Sequence, residues 1–208
     1  MYKLLKQKNK NNSKFTHTPN KLLVSGFTLV ETLVSVAIFS VSILGLMSVL
    51  SDGIADINYS KKKIIATYLA EEGVEYIRNM RDTYALYDIP GGQTGWADFN
   101  TKLNTGDCDE VNGCYFNNRD VNYSAQDKPI TNLILNACTS VSCDNAPLLY
   151  DITTGMYGYS GTDSYFKRKI KINTVSADET KVSSTVYWTQ GSGTYQITFS
   201  ENLFNWME

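Results

Sequence analysis

The chain has 208 residues, of which 42% are hydrophobic and 19% charged, and its formal net charge is -2. This length suits one sizeable domain with or without an appendage. The hydrophobic content excludes both an intrinsically disordered chain and a polytopic membrane protein. The near-neutral charge gives no indication of a specific nucleic-acid partner.

The charges are distributed unevenly along the chain. Residues 1–26 contain six lysines and no acidic residue. The other 13 basic and 21 acidic residues, 13 minus 21, give residues 27–208 a formal charge of -8. A basic N-terminus followed by an acidic body predicts two compartments, with the basic end in the cytoplasm.

Residues 32–51 form a stretch of twenty positions without a charge. A helix of that length spans roughly 30 Å, the hydrocarbon thickness of a bilayer. The stretch is longer than the apolar core of a cleaved secretory signal, and no small-x-small cleavage site follows it cleanly. We therefore predict a membrane-inserting helix, and a buried helix of a soluble protein is the alternative interpretation.

Glu31 interrupts the apolar pattern near the start of this helix. A carboxylate at the bilayer centre costs about 2.5–3.5 kcal/mol, so a charge at membrane depth normally has a partner or a function. The helix offers no nearby basic residue. A cut after Gly26 would place a free ammonium group on Phe27, four residues from Glu31, where a low dielectric strengthens the attraction between opposite charges.

The segment resembles the N-terminal signature of type IV pilins and pseudopilins. The resemblance consists of the lysine-rich leader, Gly26, the run Phe27-Thr28-Leu29, the acidic Glu31 and the hydrophobic helix. It implies that a prepilin peptidase cleaves after Gly26 on the cytoplasmic face and N-methylates Phe27. It also implies that Glu31 compensates the terminal amine of a neighbouring subunit during filament assembly. A signal anchor that matches by coincidence is the alternative.

The apolar residues continue at three- and four-residue spacing as far as residue 82, which predicts that the helix continues beyond the membrane. We therefore expect a cleaved leader at 1–26, a transmembrane and assembly helix at 27–51, an amphipathic continuation at 52–82, and a globular head at 83–208.

The head contains two kinds of sequence. Residues 83–165 are rich in tyrosine and punctuated by glycine and proline, which predicts variable loops with some short strands. Residues 166–208 carry three alternating apolar runs separated by turns, which predicts an antiparallel β-meander packed on the amphipathic helix. The predicted fold class is α+β, and the resemblance implies the lollipop shape of a pilin.

The four cysteines lie in two local pairs, Cys108 with Cys114 and Cys138 with Cys143. An even number in an exported head predicts disulfides, for which three connectivities are possible and local pairing is preferred. Zinc is the competing interpretation, but the spacings are loose and no histidine follows. The acidic residues around the first pair do not fit an EF-hand loop, although other calcium sites stay open.

The sequence gives little support for catalysis. The only histidine, His17, lies in the predicted leader, and no Walker or Rossmann motif is present. We therefore expect no enzyme activity, no catalytic residue, and neither a cofactor nor a metal.

We predict a structural subunit of a type IV pilus-like filament, made as a single-pass precursor in the inner membrane. The expected partners are the prepilin peptidase and other pilin subunits, and the expected final location is an extracellular or periplasmic filament. Residues 69–79 resemble minor pilins more than abundant major pilins. The alternatives are a type II secretion pseudopilin and a signal-anchored binding or adhesion protein that does not assemble.

Overall fold

The computed structural model describes residues 26–86, 95–118 and 133–206. The chain divides into two compact units, residues 1–50 and residues 51–208. We refer to these as the first unit and the second unit. Apart from its last residue, the predicted leader lies outside the described residues.

Helix α1 spans Leu29–Leu86 and contributes residues to both units. It ends four residues beyond the predicted end at 82. Thr83 and Tyr84, a β-branched and an aromatic residue that resemble loop sequence, are each only 8% exposed. Burial against the core therefore extends the helix where local propensity does not.

An antiparallel sheet of seven strands makes up most of the second unit. The strands are β1 (Cys114–Phe116), β2 (Leu135–Ala137), β3 (Pro147–Asp151), β4 (Met156–Gly158), β5 (Thr162–Ser176), β6 (Glu179–Gln190) and β7 (Gly193–Phe204). Strand β5 pairs with β6 and also with β1 and β3, while β2, β4 and β7 pair with β1, β3 and β6 respectively. Strands β5 to β7 form the predicted meander, and the predicted α+β class is confirmed.

The face of α1 that packs on this sheet contains many small residues. The buried residues of α1 are Ala66, Leu69, Ala70, Gly73, Val74, Ile77, Met80, Thr83 and Tyr84. A β-carbon on Gly73 would overlap the hydroxyl of Ser184 on β6, so glycine is what permits the close approach of helix and strand. The larger apolar residues Ile57, Ile64 and Tyr68 stay more than half exposed.

A second helix corrects the prediction of loops and short strands over residues 83–165. Helix α2 spans Gly95–Thr105, and its Trp96, Phe99 and Leu103 are buried at helical spacing. The indole N–H of Trp96 donates to the carbonyl of Ala177 at 2.7 Å. Glycine, asparagine and threonine, which are poor helix formers, make up much of α2, so tertiary packing rather than propensity stabilises it.

Candidate functional site

The predicted processing site lies directly before α1. Gly26 and Phe27 are outside the helix and exposed, and the Phe27 side chain is 75% exposed. Thr28 caps the helix: its hydroxyl accepts the backbone N–H of Glu31 at 3.3 Å, and its carbonyl accepts the N–H of Thr32 at 3.1 Å. The bond between Gly26 and Phe27 is therefore in accessible, non-helical chain.

Glu31 is the third residue after this cap, the spacing of a capping box. Sequence reasoning missed the Thr28 cap, although the Thr28-x-x-Glu31 spacing indicates it. The carboxylate is the only charge between residues 27 and 51, and it makes no ion pair with any side chain in the described ranges. The positive end of the helix dipole stabilises a carboxylate here, but it amounts to only about half a charge.

Four hydroxyl groups among the described residues of the first unit bond to carbonyls of their own helix. They donate at 2.7 or 2.8 Å, Thr32 to the carbonyl of Leu29, Ser35 to that of Glu31, Ser40 to that of Val36 and Ser42 to that of Ile38. Hydroxyls bonded in this way leave no donor unsatisfied in a hydrocarbon environment.

The apolar side chains of residues 26–50 are not covered by any other described part of the chain. Every residue from Gly26 to Leu50 is exposed. By length and composition, α1 is the one helix in the described part of the chain that could cross a membrane. An apolar surface of this extent requires lipid or other protein around it.

An ion pair joins α1 to the sheet within the second unit. Arg168, only 3% exposed, donates through Nη1 to Oε2 of Glu72 at 2.8 Å and to the Leu69 carbonyl at 3.3 Å. Its guanidinium carbon lies 4.6 Å from the centre of the Phe116 ring. The other oxygen of Glu72 accepts from Asn118 at 2.8 Å. The two charges therefore have the partners that burial demands.

The cysteines are joined as Cys108 to Cys114 and Cys138 to Cys143, the local one of the three connectivities. The first disulfide is fully buried in the main core, and the second packs with Ala146 in a small separate cluster. No cysteine is free to ligate zinc. Among the residues that the structure describes, no three His, Cys, Asp or Glu side chains converge to hold a metal ion.

The loop of the second disulfide is attached to β5 through Asp144. Its carboxylate accepts hydrogen bonds from the ammonium of Lys167 at 2.6 Å and from the hydroxyls of Ser140 and Ser142 at 2.8 and 2.9 Å. These donors, with Lys167 the strongest, lower the pKa of Asp144 to about 2. The three hydrogen bonds hold the carboxylate in position, and the lowered pKa keeps it ionised into the acidic range.

Residues 23–47 match the family described as the prokaryotic N-terminal methylation motif. This motif is the type IV pilin signature, and the match includes Gly26, Phe27 and Glu31. No curated protein and no solved structure matches the chain. The motif supports a pilin-like or pseudopilin precursor, and it implies a substrate of prepilin peptidase that assembles with other pilins. The type IV pilin family is structural and not enzymatic.

Proposed function

With the methylation motif as premise, we propose that the chain is the precursor of a minor type IV pilin. A prepilin peptidase cleaves it after Gly26 and methylates Phe27, which leaves residues 27–208 as the working subunit. The observation that carries this proposal is the coincidence of the motif with a helix whose described residues 29–50 are all exposed. The likeness of residues 69–79 to minor pilins favours the minor class.

The lysines of the leader determine the proposed orientation. They keep the N-terminus in the cytoplasm, and the second unit crosses to the outside. Two cysteine pairs at disulfide distance agree with an oxidising compartment for the second unit.

Glu31 is proposed to pair with the methylated amine of Phe27 in a neighbouring subunit. Two observations support this role: the carboxylate is the only charge in the apolar helix, and it has no cationic partner in the described chain. An unpaired carboxylate in the membrane has a cost that reaches about 2.5–3.5 kcal/mol at the bilayer centre. A cation from a second copy removes that cost in the filament.

Expression with and without a prepilin peptidase tests the processing step. Mass spectrometry of the mature N-terminus should find N-methylated Phe27 only when the peptidase is present. A Gly26→Leu variant, which keeps the leader and the helix, should stay uncut and serves as the control. An uncut native chain, or a different first residue, would contradict the proposal.

A charge-neutral variant of Glu31 tests the assembly step separately. Glu31→Gln keeps the shape of the side chain and should still be cleaved, but its incorporation into sheared filaments should fall at least about tenfold. Glu71→Gln, an exposed acid on the same helix, is the matched control and should assemble normally. Normal incorporation of Glu31→Gln would contradict the role given to Glu31.

Recovery of the native chain with the secretion apparatus, and not with pili, would favour a pseudopilin.

A further inference from the structure

A polar pocket of about 160 Å³ lies in the second unit, where the start of β5 approaches the turn between β6 and β7. Its lining includes Asp144, Tyr165, Lys167, Tyr187, Thr189 and Thr194. None of these residues belongs to the methylation motif, so the proposed filament role does not account for the pocket.

Tyr165 forms one wall of the pocket, and its backbone has an unfavourable conformation. Its φ is 64°, a left-handed value that costs a bulky residue roughly 1–2 kcal/mol. The residue lies opposite a register shift in the pairing of β3 with β5, between Leu148 and Leu149. Asp163 accepts the N–H of Tyr165 at 2.8 Å, and the Ser164 hydroxyl donates to the carbonyl of Leu148. These bonds maintain a bulge that leaves the Tyr165 side chain 64% exposed.

The charged groups at the pocket are already engaged. Asp144 neutralises Lys167, as described above. The ammonium of Lys62 donates to the carbonyl of Thr189 at 2.8 Å and lies 5.9 Å from the centre of the Tyr165 ring. Lys62 keeps its positive charge, because a carbonyl does not neutralise it, but it is not among the residues that line the pocket. The two charged residues of the lining, Asp144 and Lys167, pair with each other, so the lining offers no unpaired positive charge that would select an anion.

The two threonine hydroxyl groups at the pocket are in the opposite situation. The side chains of Thr189 and Thr194 make no hydrogen bond to any residue in the described ranges. Each hydroxyl can both donate and accept. Asp144 adds a fixed acceptor, and the Tyr187 ring adds a second aromatic surface.

We propose that this pocket binds one ring of a neutral carbohydrate. The rings of Tyr165 and Tyr187 supply apolar faces for the C–H groups of a sugar ring, and the two threonine hydroxyls and Asp144 supply partners for its hydroxyl groups. An apolar ligand would leave these polar groups desolvated without partners. The pocket admits a single ring, with further sugars outside in solvent. The assignment stands independently of filament assembly.

The test uses the full chain solubilised in a zwitterionic detergent, because a detergent with a sugar headgroup would compete for the pocket. The protein is applied to immobilised neutral hexose and N-acetylhexosamine mono- and disaccharides, with sialylated and sulfated glycans on the same array. We expect retention on at least one neutral glycan and release by an excess of the same free sugar.

A Tyr165→Gly variant separates binding from folding. Glycine adopts a φ of 64° without strain, so the thermal midpoint should stay equal to or above the native value. Loss of the ring should weaken glycan binding about tenfold. Thr189→Val, which removes one hydroxyl at nearly constant shape, should weaken binding at an unchanged midpoint.

The matched control is Trp206→Ala, which removes an aromatic side chain that is 60% exposed and lies outside the pocket. It should bind glycans as the native chain does. Retention on charged glycans alone, on no glycan, or equally by the native chain and both pocket variants would overturn the proposal.

Discussion

The two halves of α1 show how one helix can meet two different requirements. In the first unit every residue from Gly26 to Leu50 is exposed, and four of its serine and threonine hydroxyls bond to the helix itself. In the second unit the same helix buries Ala66 to Tyr84 on one face against α2 and the sheet. No described residue therefore covers the first half, whereas α2 and the sheet cover one face of the second half.

Apolar residues on one helix therefore need not serve one purpose. In the second unit, alanine and glycine let the helix approach the strands closely, and packing stabilises the fold. In the first unit, large side chains such as Phe39 and Leu44 are about two-thirds exposed. The free energy gained by burying these side chains must therefore contribute to membrane insertion or assembly, and not to the folding of the second unit.

The strongest test of this comparison pairs two isoleucines from the two halves. Ile77 is fully buried in the main core, and Ile38 is 63% exposed. Ile77→Ala should lower the free energy of unfolding by about 2–5 kcal/mol, because it removes buried methyl groups and leaves a cavity. Ile38→Ala should leave unfolding, followed by tryptophan fluorescence, unchanged. Equal destabilisation by the two changes would contradict the division of roles.

Two adjacent glutamates allow a second test within the second unit, for which the expected change in stability is smaller. Glu72→Ala leaves the buried Arg168 without its carboxylate and should cost about 2–3 kcal/mol, less than a fully buried pair because the Glu72 side chain is one-third exposed. Glu71→Ala, at an exposed position, should change stability by less than about 0.5 kcal/mol. Thermal unfolding in the same detergent measures both. Similar effects at the two positions would show that the ion pair does not hold α1 to the sheet.

The glutamates also show which features a sequence reveals. The N-terminal motif and the meander are local patterns, so spacing and alternation predict them. The pairing of Glu72 with Arg168 joins positions 96 residues apart, and nothing in either neighbourhood distinguishes Glu72 from Glu71. Helix α2 was not predicted from the sequence for a related reason: contacts with distant residues stabilise a segment made largely of poor helix formers. Tyr165 becomes notable only when its backbone conformation is known.

Asp144 is a surface carboxylate that side chains of the second unit hold in place, whereas no described side chain pairs with Glu31. The effect of removing it should be smaller than those above. The pKa of Asp144 falls from 3.8 to about 2 because Lys167, Ser140 and Ser142 donate to it. A depressed pKa contributes stability that is fully present above 3.8 and lost as pH falls towards about 2. The native chain should therefore exceed Asp144→Asn in thermal midpoint at neutral pH, and the gap should close over that range. Asp109→Asn, at an exposed position, is the control. Added salt should also narrow the difference in thermal midpoint at neutral pH, because the ion pair is exposed to solvent. A difference that stays constant with pH would mean that these donors do not stabilise the ionised carboxylate.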